Sequence, residues 1–411
     1  MLDIKFIREN VDLVKIATKN KGFDDSVVDK LLDIDKKRRE LIGKSEEIRA
    51  KKNKLTKNDI EEGKKLKVLL KEKEAELEII EKEFEELIHQ VPNPASDDVK
   101  VGKDESENEI VKLWGDPTRF EFSPKDHVTI GKSLNILDFE TGAKVSGSQF
   151  YFLYGDGAML EIALIQYAFD LLSKEGFRPV ITPDIAKSRY YLGTGYAPRG
   201  NEAQTYEINE SDLGLIATAE VTLAGSHADE IIPEEKLPLK YIGYSHCFRQ
   251  EAGAYGKYSK GLYRVHQFTK AEMFIYCTPD ESTKLHDYLL EMEEKIYQGL
   301  KIPYRVLKQC TGDLGAMAAR KYDIEAWMPG RNDYGEITST SNCTDYQARN
   351  LNIKYRKKDG TNEYVHMLNG SGIATSRTII SILENYQNED GSVTIPTVLQ
   401  KWMGKEKITT N

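Results

Sequence analysis

The stretch Phe248-Arg249-Gln250-Glu251-Ala252-Gly253-Ala254-Tyr255-Gly256-Lys257-Tyr258-Ser259-Lys260-Gly261-Leu262-Tyr263-Arg264-Val265-His266-Gln267-Phe268-Thr269-Lys270-Ala271-Glu272 decides how the rest of the chain is read. It gathers Arg249 and Arg264, Glu251 and Glu272, and the aromatic Phe268 around a turn containing Gly253, Gly256 and Gly261. β-Branched and aromatic residues flank that turn, and glycine tolerates the backbone a tight loop needs, so the pattern predicts strand, loop, strand. Guanidinium forks grip phosphate oxygens bidentately and stabilise charge that builds during a displacement. Together with an aromatic face and two carboxylates, these residue types could hold a polyphosphate, a purine and an amine. The same composition also suits a surface hairpin whose charges only solvate a face.

The 411 residues around this stretch have room for one large domain and a smaller module. Charged residues make up 30% of the chain, and a net charge of -9 argues against a general nucleic-acid coat, so local charge has to carry any such contact. No stretch approaches 18 consecutive apolar residues, and the first ten residues lack the basic-then-apolar order of a secretion signal. A cytoplasmic protein with no membrane partner is expected. The cysteines, Cys247, Cys277, Cys310 and Cys343, show no Cys-x-x-Cys and no nearby histidine pair. They read as reduced packing residues, with neither a disulfide framework nor zinc.

Between residues 26 and 90 the composition shifts to Lys, Glu, Leu and Ile without proline. Val27, Ile34, Leu41, Ile48 and Leu55 recur every seven residues; Leu70, Leu77, Phe84 and Val91 form a second ladder flanked by Leu66, Ile80 and Leu87. The register breaks between Thr56 and Gly63, which predicts a long antiparallel coiled-coil hairpin with arms of about 30 residues, roughly 45 Å each. Its charge is polarised. Arg49, Lys51, Lys52, Lys54, Lys57, Lys64, Lys65 and Lys67 face only three acids across the break, whereas Glu72 to Glu86 holds eight Glu and two Lys. A basic tip on a protruding arm suits a phosphate backbone; a dimerisation rod with a solvated surface would share the heptads.

Val91-Pro92-Asn93-Pro94 ends the second helix. Beyond a linker, apolar spacing predicts helices over 157–174 and near 280–300, with a short strand over 176–183 and further strand-like runs between. Strands in the middle bracketed by helices predict an α+β core with mostly antiparallel pairing. Gly43-Lys44-Ser45 and Gly131-Lys132-Ser133 invite a phosphate-loop reading, but Arg38 and Asp126 stand where that loop needs its first glycine. With no Gly-x-Gly-x-x-Gly after a strand either, bound ATP would have to be held by arginine side chains.

Thr182-Pro183, the Arg249 to Glu272 stretch and Leu368-Asn369-Gly370-Ser371-Gly372-Ile373-Ala374-Thr375-Ser376-Arg377 look like motifs 1, 2 and 3 of class II aminoacyl-tRNA synthetases. With Thr218-Ala219-Glu220-Val221, Arg264-Val265-His266-Gln267-Phe268, Gln347-Ala348-Arg349 and a heptad hairpin in front, essentially the whole chain resembles the seryl-tRNA synthetases. The resemblance implies a tRNA-binding helical arm over 1–100, its hairpin over about 26–90, and a class II catalytic core over 101–411. Motif 1 falls near 176–183, motif 2 near 248–272 and motif 3 near 368–386. The implied core is a six-stranded antiparallel sheet flanked by helices, with motif 1 at a homodimer interface.

The implied activity is serine–tRNA ligation: ATP and L-serine form seryl-adenylate, and serine passes to the 3′-end of tRNA(Ser), with tRNA(Sec) a further substrate where it exists. Residue by residue, the resemblance puts Arg249 on the α-phosphate and the serine carboxylate, with Gln250, Glu251, Val265 and Phe268 on the adenine side. Glu336, Ile337, Thr338 and Ser339 fall on the phosphates, Glu336 and Ser339 also on Mg²⁺, and Arg377 on the γ-phosphate. Thr218, Ala219, Glu220, Arg249, Glu272, Asn369 and Ser371 fall on serine. Arg249, Arg377 and Glu336 form the implied catalytic set. Serine needs a cation for its carboxylate, an anion for its amine and buried partners for its hydroxyl, types that Arg249, Glu272 and Ser371 supply. His266 reads as a loop-orienting residue and not a base. Two departures stand out: Thr340 where many relatives carry cysteine, and a Gly193 to Glu202 loop that keeps only the Gly-Thr-Gly start. A synthetase-like paralogue that only binds tRNA or a partner, or one that loads a carrier protein, is the alternative; the basic arm disfavours the latter.

Overall fold

In the computed structural model, residues 1–56, 58–196, 205–251 and 260–410 are described. The chain divides into two compact units, Met1–Ala95 and Ser96–Asn411.

The first unit is helical: α1 (Ile4–Glu9), α2 (Val11–Asn20), α3 (Ser26–Asn53) and α4 (Ile60–Ile88). Helices α3 and α4 pack along one another. Val27, Leu31, Ile34 and Ile48 of α3 and Phe84 of α4 are buried, and Leu66, Leu70, Leu77 and Ile80 are partly covered. These are the heptad positions, so the seam falls where the spacing predicts. At the turn, the Thr56 amide and hydroxyl both donate to Asp59 Oδ2 at 2.7 Å. Lys51 and Lys52 close α3 while Glu61 and Glu62 open α4, which matches the signs of the two helix dipoles. Helices α1 and α2 carry too few turns for periodicity to reveal; they bury Ile7 and Val14, and Arg8 and Arg39 flank the buried Asp35 of α3.

In the second unit the main sheet is built from β1 (Glu109–Trp114), β2 (Arg178–Ile181), β3 (Leu239–Phe248), β4 (Gln267–Cys277), β5 (Tyr304–Lys308), β6 (Arg320–Met328), β7 (Asp333–Asn342) and β8 (His366–Ala374). Its order is β1-β5-β6-β7-β8-β4-β3-β2. The expected six antiparallel strands are the inner ones; the described sheet has eight. β1 extends one edge antiparallel to β5, and β2 extends the other parallel to β3. Short edge strands of this kind carry little pattern of their own, which is why the count differs.

The helices of this unit include α5 (His127–Ser133), α6 (Asp156–Lys174), α7 (Ser188–Thr194), α8 (Glu220–Gly225), α9 (Ser282–Gly299), α10 (Tyr346–Leu351) and α11 (Thr375–Asn385); Phe139–Ser146 and Gln400–Met403 are helical too. One sheet face, with Ala271, Met273, Ile275 and Ile324, packs against Leu160, Leu164 and Leu172 of α6, Met292 and Ile296 of α9, and Ile379 and Ile380 of α11. The other face, with Phe274 and Tyr276, packs against α8 and α10 through Leu223 and Leu351. Strand β4 is therefore covered on both sides for most of its length, as its run Ala-Glu-Met-Phe-Ile-Tyr-Cys suits. The second face opens to a cavity where α8 and α10 end. Among the described residues no helix is long and apolar enough to cross a membrane.

Candidate active site

Two bulges aim the polar residues of this face. In a regular strand, residues three apart point to opposite sides. Glu336 and Ser339 are three apart, yet both line one cavity. The β6–β7 ladder pairs Ile324 with Thr338 and then Glu325 with Glu336, so Ile337 is the extra residue and the side-chain parity flips across it. The β4–β8 ladder does the same at Gly372: Ala271 faces Ile373 and Glu272 faces Ser371. A Cβ at Gly372 would meet the Ala271 carbonyl oxygen at 3.1 Å, so a side chain there would crowd the neighbouring strand.

The cavity has a volume of about 450 Å³. Its cationic end holds Arg249, Arg377, Glu336 and Ser339, with Lys321 beside them. Arg377 Nη1 lies 3.1 Å from Glu336 Oε2 and donates to the Glu336 carbonyl at 3.2 Å, while its Nε donates to the Tyr263 carbonyl. Its guanidinium carbon stands 4.7 Å from the centroid of the Tyr263 ring. Burial would raise the Glu336 pKa, but Arg377 and Lys321 outweigh it and hold the carboxyl below its ordinary value. Next to this group burial pushes Asp323 up to about 6, against the pull of Lys321.

Arg249 follows the end of β3. Its amide donates to the His266 carbonyl and its Nε to the Ala217 carbonyl, and its guanidinium carbon stands 5.2 Å from the centroid of the Phe268 ring. His266 Nδ1 donates to the Arg249 carbonyl at 2.8 Å, a loop-holding contact of the kind expected for it. Arg264 grips Glu251 Oε2 at 3.0 Å, and Val265 completes the wall beside Phe268.

The opposite end is small, polar and anionic. Glu220, 3% exposed, accepts from Gln347 Nε2 at 2.7 Å and Asn369 Nδ2 at 2.9 Å through Oε1, and from the Tyr196 hydroxyl at 2.9 Å through Oε2. Glu272 is buried and ion-paired with Lys270, whose ammonium also donates to Thr218 Oγ1 at 3.3 Å. Burial, with Glu220 nearby, pushes the Glu272 carboxyl up to about 7 in spite of Lys270. Burial also raises Glu220. The region therefore offers two carboxyls, one ammonium, an amide and the Ser371 hydroxyl, a set suited to a small zwitterion.

Of the residues expected in the site, Arg249, Glu251, Val265, Phe268, Glu336, Ile337, Thr338, Ser339, Arg377, Glu220, Asn369 and Ser371 line the cavity. Thr218, Ala219 and Glu272 lie buried behind that lining. Gln250 stands apart: its side-chain amide donates to the Thr205 carbonyl at 2.9 Å, and it is not among the lining residues. Gly253 and Gly256 of the turn, and most of the Gly193 to Glu202 loop, lie outside the described residues. Lys270, Lys321 and Tyr196 line the cavity without having been anticipated. Lys270 had a signal, since it lies two residues before Glu272 in a strand and must share its face.

On the arm, Lys51, Lys52, Lys54, Lys64, Lys65 and Lys67 are exposed, with no ion pair among the described residues. Arg49 is held by Glu74 at 2.8 Å. Lys57 lies outside the described residues. No cluster of three metal-ligating His, Cys, Asp or Glu side chains occurs among the described residues.

Comparison with known proteins bears on both units. The family model of the seryl-tRNA synthetase N-terminal domain matches residues 1–95, and that of the class II tRNA synthetase core domain (G, H, P, S and T) matches residues 204–386. A serine–tRNA ligase of Dictyoglomus turgidum is 51% identical, with 99% of each chain covered, and one of Treponema denticola is 50% identical, covering 99% of this chain and 100% of the relative. Among solved structures, seryl-tRNA synthetase from Pyrococcus horikoshii complexed with ATP superposes with a TM-score of 0.93 at 40% identity and full coverage of both chains. The cytoplasmic serine–tRNA ligase from Naegleria fowleri in complex with AMP gives a TM-score of 0.88 at 37% identity, covering 100% of this chain and 99% of that one.

Proposed function

The chain belongs to the seryl-tRNA synthetase family, and from that premise we propose that it is a serine–tRNA ligase whose residues take the following roles. The observation that carries the reading is one cavity with guanidinium groups at one end and Glu220, Asn369 and Ser371 at the other, with Glu272 buried behind them. ATP and serine placed along that axis bring the serine carboxylate against the α-phosphorus beside Arg249. In-line attack then releases pyrophosphate. No side-chain nucleophile is required, because positioning and charge stabilisation supply the rate. Arg249 neutralises both reacting anions, Arg377 holds the leaving polyphosphate, and Phe268 with Val265 bounds the base. Glu220 and Glu272 take the ammonium, and Ser371 with Asn369 takes the hydroxyl. A pocket that hydrogen-bonds a hydroxyl rejects the analogue lacking it by on the order of 10⁴–10⁵, which disposes of alanine.

Mg²⁺ fits Glu336 and Ser339: one ionised carboxylate and one hydroxyl form an oxygen donor set too small to be a metal cage alone, as suits an ion shared with phosphates. When bound it would neutralise phosphate charge that the arginines leave.

In the second step the 3′-terminal ribose hydroxyl of tRNA(Ser) attacks the seryl-adenylate carbonyl, forming the ester and releasing AMP, with the exposed lysines at the arm's tip gripping the tRNA backbone. Such contacts do not tell apart another serine-accepting tRNA of like shape, so tRNA(Sec) is included. A homodimer is part of the proposal: on the elements carrying motif 1 and the helix before it, Ile181 is 80% exposed, and Met159, Ile162 and Ile185 are exposed too. A cytoplasmic setting is supported by the four cysteines, all buried as thiols.

The test is serine-dependent exchange of pyrophosphate into ATP by the whole chain without tRNA, followed by charging of tRNA(Ser). Exchange followed by charging is expected. Folded chain without exchange refutes the ligase, and exchange with labelling of a carrier protein in place of tRNA refutes the acceptor.

A further inference from the structure

Glu220 is held unequally. Gln347 and Asn369 both donate to Oε1, whereas Oε2 receives the Tyr196 hydroxyl at 2.9 Å. Both oxygens lie off the last side-chain bond, so each donor resists rotation of the carboxylate, and Tyr196 is the donor that holds Oε2. With the two donors on Oε1 it sets the direction in which the lone pairs meet a bound ammonium.

Tyr196 is placed for this from both ends. Helix α7 stops at Gly195, whose φ of +92° is the left-handed conformation that turns the chain, and the Tyr196 amide donates to the Tyr191 carbonyl at 2.9 Å. The ring packs against the buried cluster of Ala186, Tyr191, Ile216 and Val221, and the residue lines the cavity. Gln347 Nε2 also donates to the Thr194 carbonyl at 3.0 Å, tying the end of α7 to the same carboxylate. Burial and the neighbouring Glu220 hold the phenol pKa well above its ordinary value, so it stays a donor at working pH.

Resting on the ligase reading, we infer that Tyr196 is a positioning residue for serine: through its hydrogen bond it orients Glu220 toward the substrate ammonium, and its ring bounds the amino-acid end of the cavity. The hydroxyl acts on serine and not on ATP, because Glu220 lies at the end of the cavity away from Arg377 and Glu336. Size exclusion of threonine, which a hydroxyl-binding pocket cannot achieve by hydrogen bonding, falls in part to the ring.

Pyrophosphate exchange by wild type, Tyr196→Phe and Tyr196→Ala tests this. For Tyr196→Phe the serine KM should rise about tenfold, the size expected for losing a hydrogen bond to a charged group, with kcat, the ATP KM and the melting temperature held. For Tyr196→Ala the rate with threonine relative to serine should increase. A folded Tyr196→Phe variant with an unchanged serine KM overturns the inference while wild-type exchange leaves the ligase reading standing. A fall in kcat with serine KM unchanged also overturns it, since that is a catalytic defect. Absence of exchange in the wild type overturns both the inference and the reading beneath it.

Discussion

Arg377 and Glu336 are joined twice, side chain to side chain at 3.1 Å and guanidinium to the Glu336 carbonyl at 3.2 Å. The pair links the start of α11 to the bulge of β7, so the arginine is aimed before any ligand arrives. Glu336→Gln keeps an acceptor for Arg377 and removes the charge a cation would use. Exchange activity should fall by about 10²–10³, the scale of removing one preorganised electrostatic partner, and half-maximal activity should need more Mg²⁺. The Glu336 side chain is 42% exposed, so the melting curve should barely move. Magnesium titrations of exchange, run beside thermal melts, check both parts, and unaltered magnesium demand would remove Glu336 from the metal site.

With Glu272 taking the serine ammonium as proposed, serine recognition should be pH-dependent. Burial pushes its carboxyl up to about 7, with Lys270 opposing and Glu220 adding to the rise. Between the ordinary glutamate value of about 4.3 and that point, the folded chain keeps a proton that the unfolded chain has lost. Its contribution to stability therefore falls as pH rises through this window. Binding of the serine ammonium favours the ionised form, so kcat/KM for serine should climb with pH and level off above about 7. Glu272→Gln should flatten that limb at a lower plateau. A limb of the same midpoint in the variant would assign the titration elsewhere.

What was legible in the sequence follows from what repeats. The heptads of α3 and α4 exposed the hairpin because a seven-residue period survives local irregularity, and the register break at residues 56–63 marked its turn. The two ends of the Phe248 to Glu272 stretch were readable as strands for another reason, the β-branched and aromatic residues that flank its glycine turn. Position on a face was less legible. Glu336 with Ser339, and Ser371 with Ala374, share the cavity only because Ile337 and Gly372 are extra residues in their strands, and a period-two reading splits each pair. Gln250 sits between two well-placed neighbours yet turns to Thr205. Lys321 and Tyr196 lay in segments whose pairing was unknown, so nothing in their spacing pointed at the site.

A buried clamp outside the substrate groups supports Arg377. Glu384 Oε1 accepts from the His127 amide at 3.0 Å and from His127 Nδ1 at 2.8 Å, and Oε2 accepts from the Gly330 amide at 2.9 Å. The other ring nitrogen, Nε2, accepts from the Leu262 amide at 3.2 Å, which fixes the tautomer with the proton on Nδ1. Leu262 precedes Tyr263, whose carbonyl and ring hold Arg377. Glu384→Ala leaves several buried donors without partners and should cost about 3 kcal/mol or more. Thermal denaturation should show a fall of several degrees, and the ATP KM should rise more than the serine KM. Equal effects on both substrates would mean that the clamp supports the fold and not the nucleotide end.

The arm permits the sharpest separation of the two half-reactions. Lys64, Lys65 and Lys67 are exposed near the start of α4, while Arg49 is engaged by Glu74 across the hairpin. If the tip grips a phosphate backbone, replacing these three lysines with alanine should weaken tRNA binding and flatten its salt dependence. The slope of log K against log salt should fall by about 0.7–0.9 for each phosphate no longer neutralised by a lysine. Arg49→Ala should do less, because its charge is already spent on a carboxylate. Exchange without tRNA should be unchanged in all these variants, since the residues lie in Met1–Ala95 and the cavity's lining lies in Ser96–Asn411. Aminoacylation measured across a salt series, with exchange as the control, decides the matter: a triple variant that charges tRNA with the wild-type KM and salt slope would leave the arm as a structural rod.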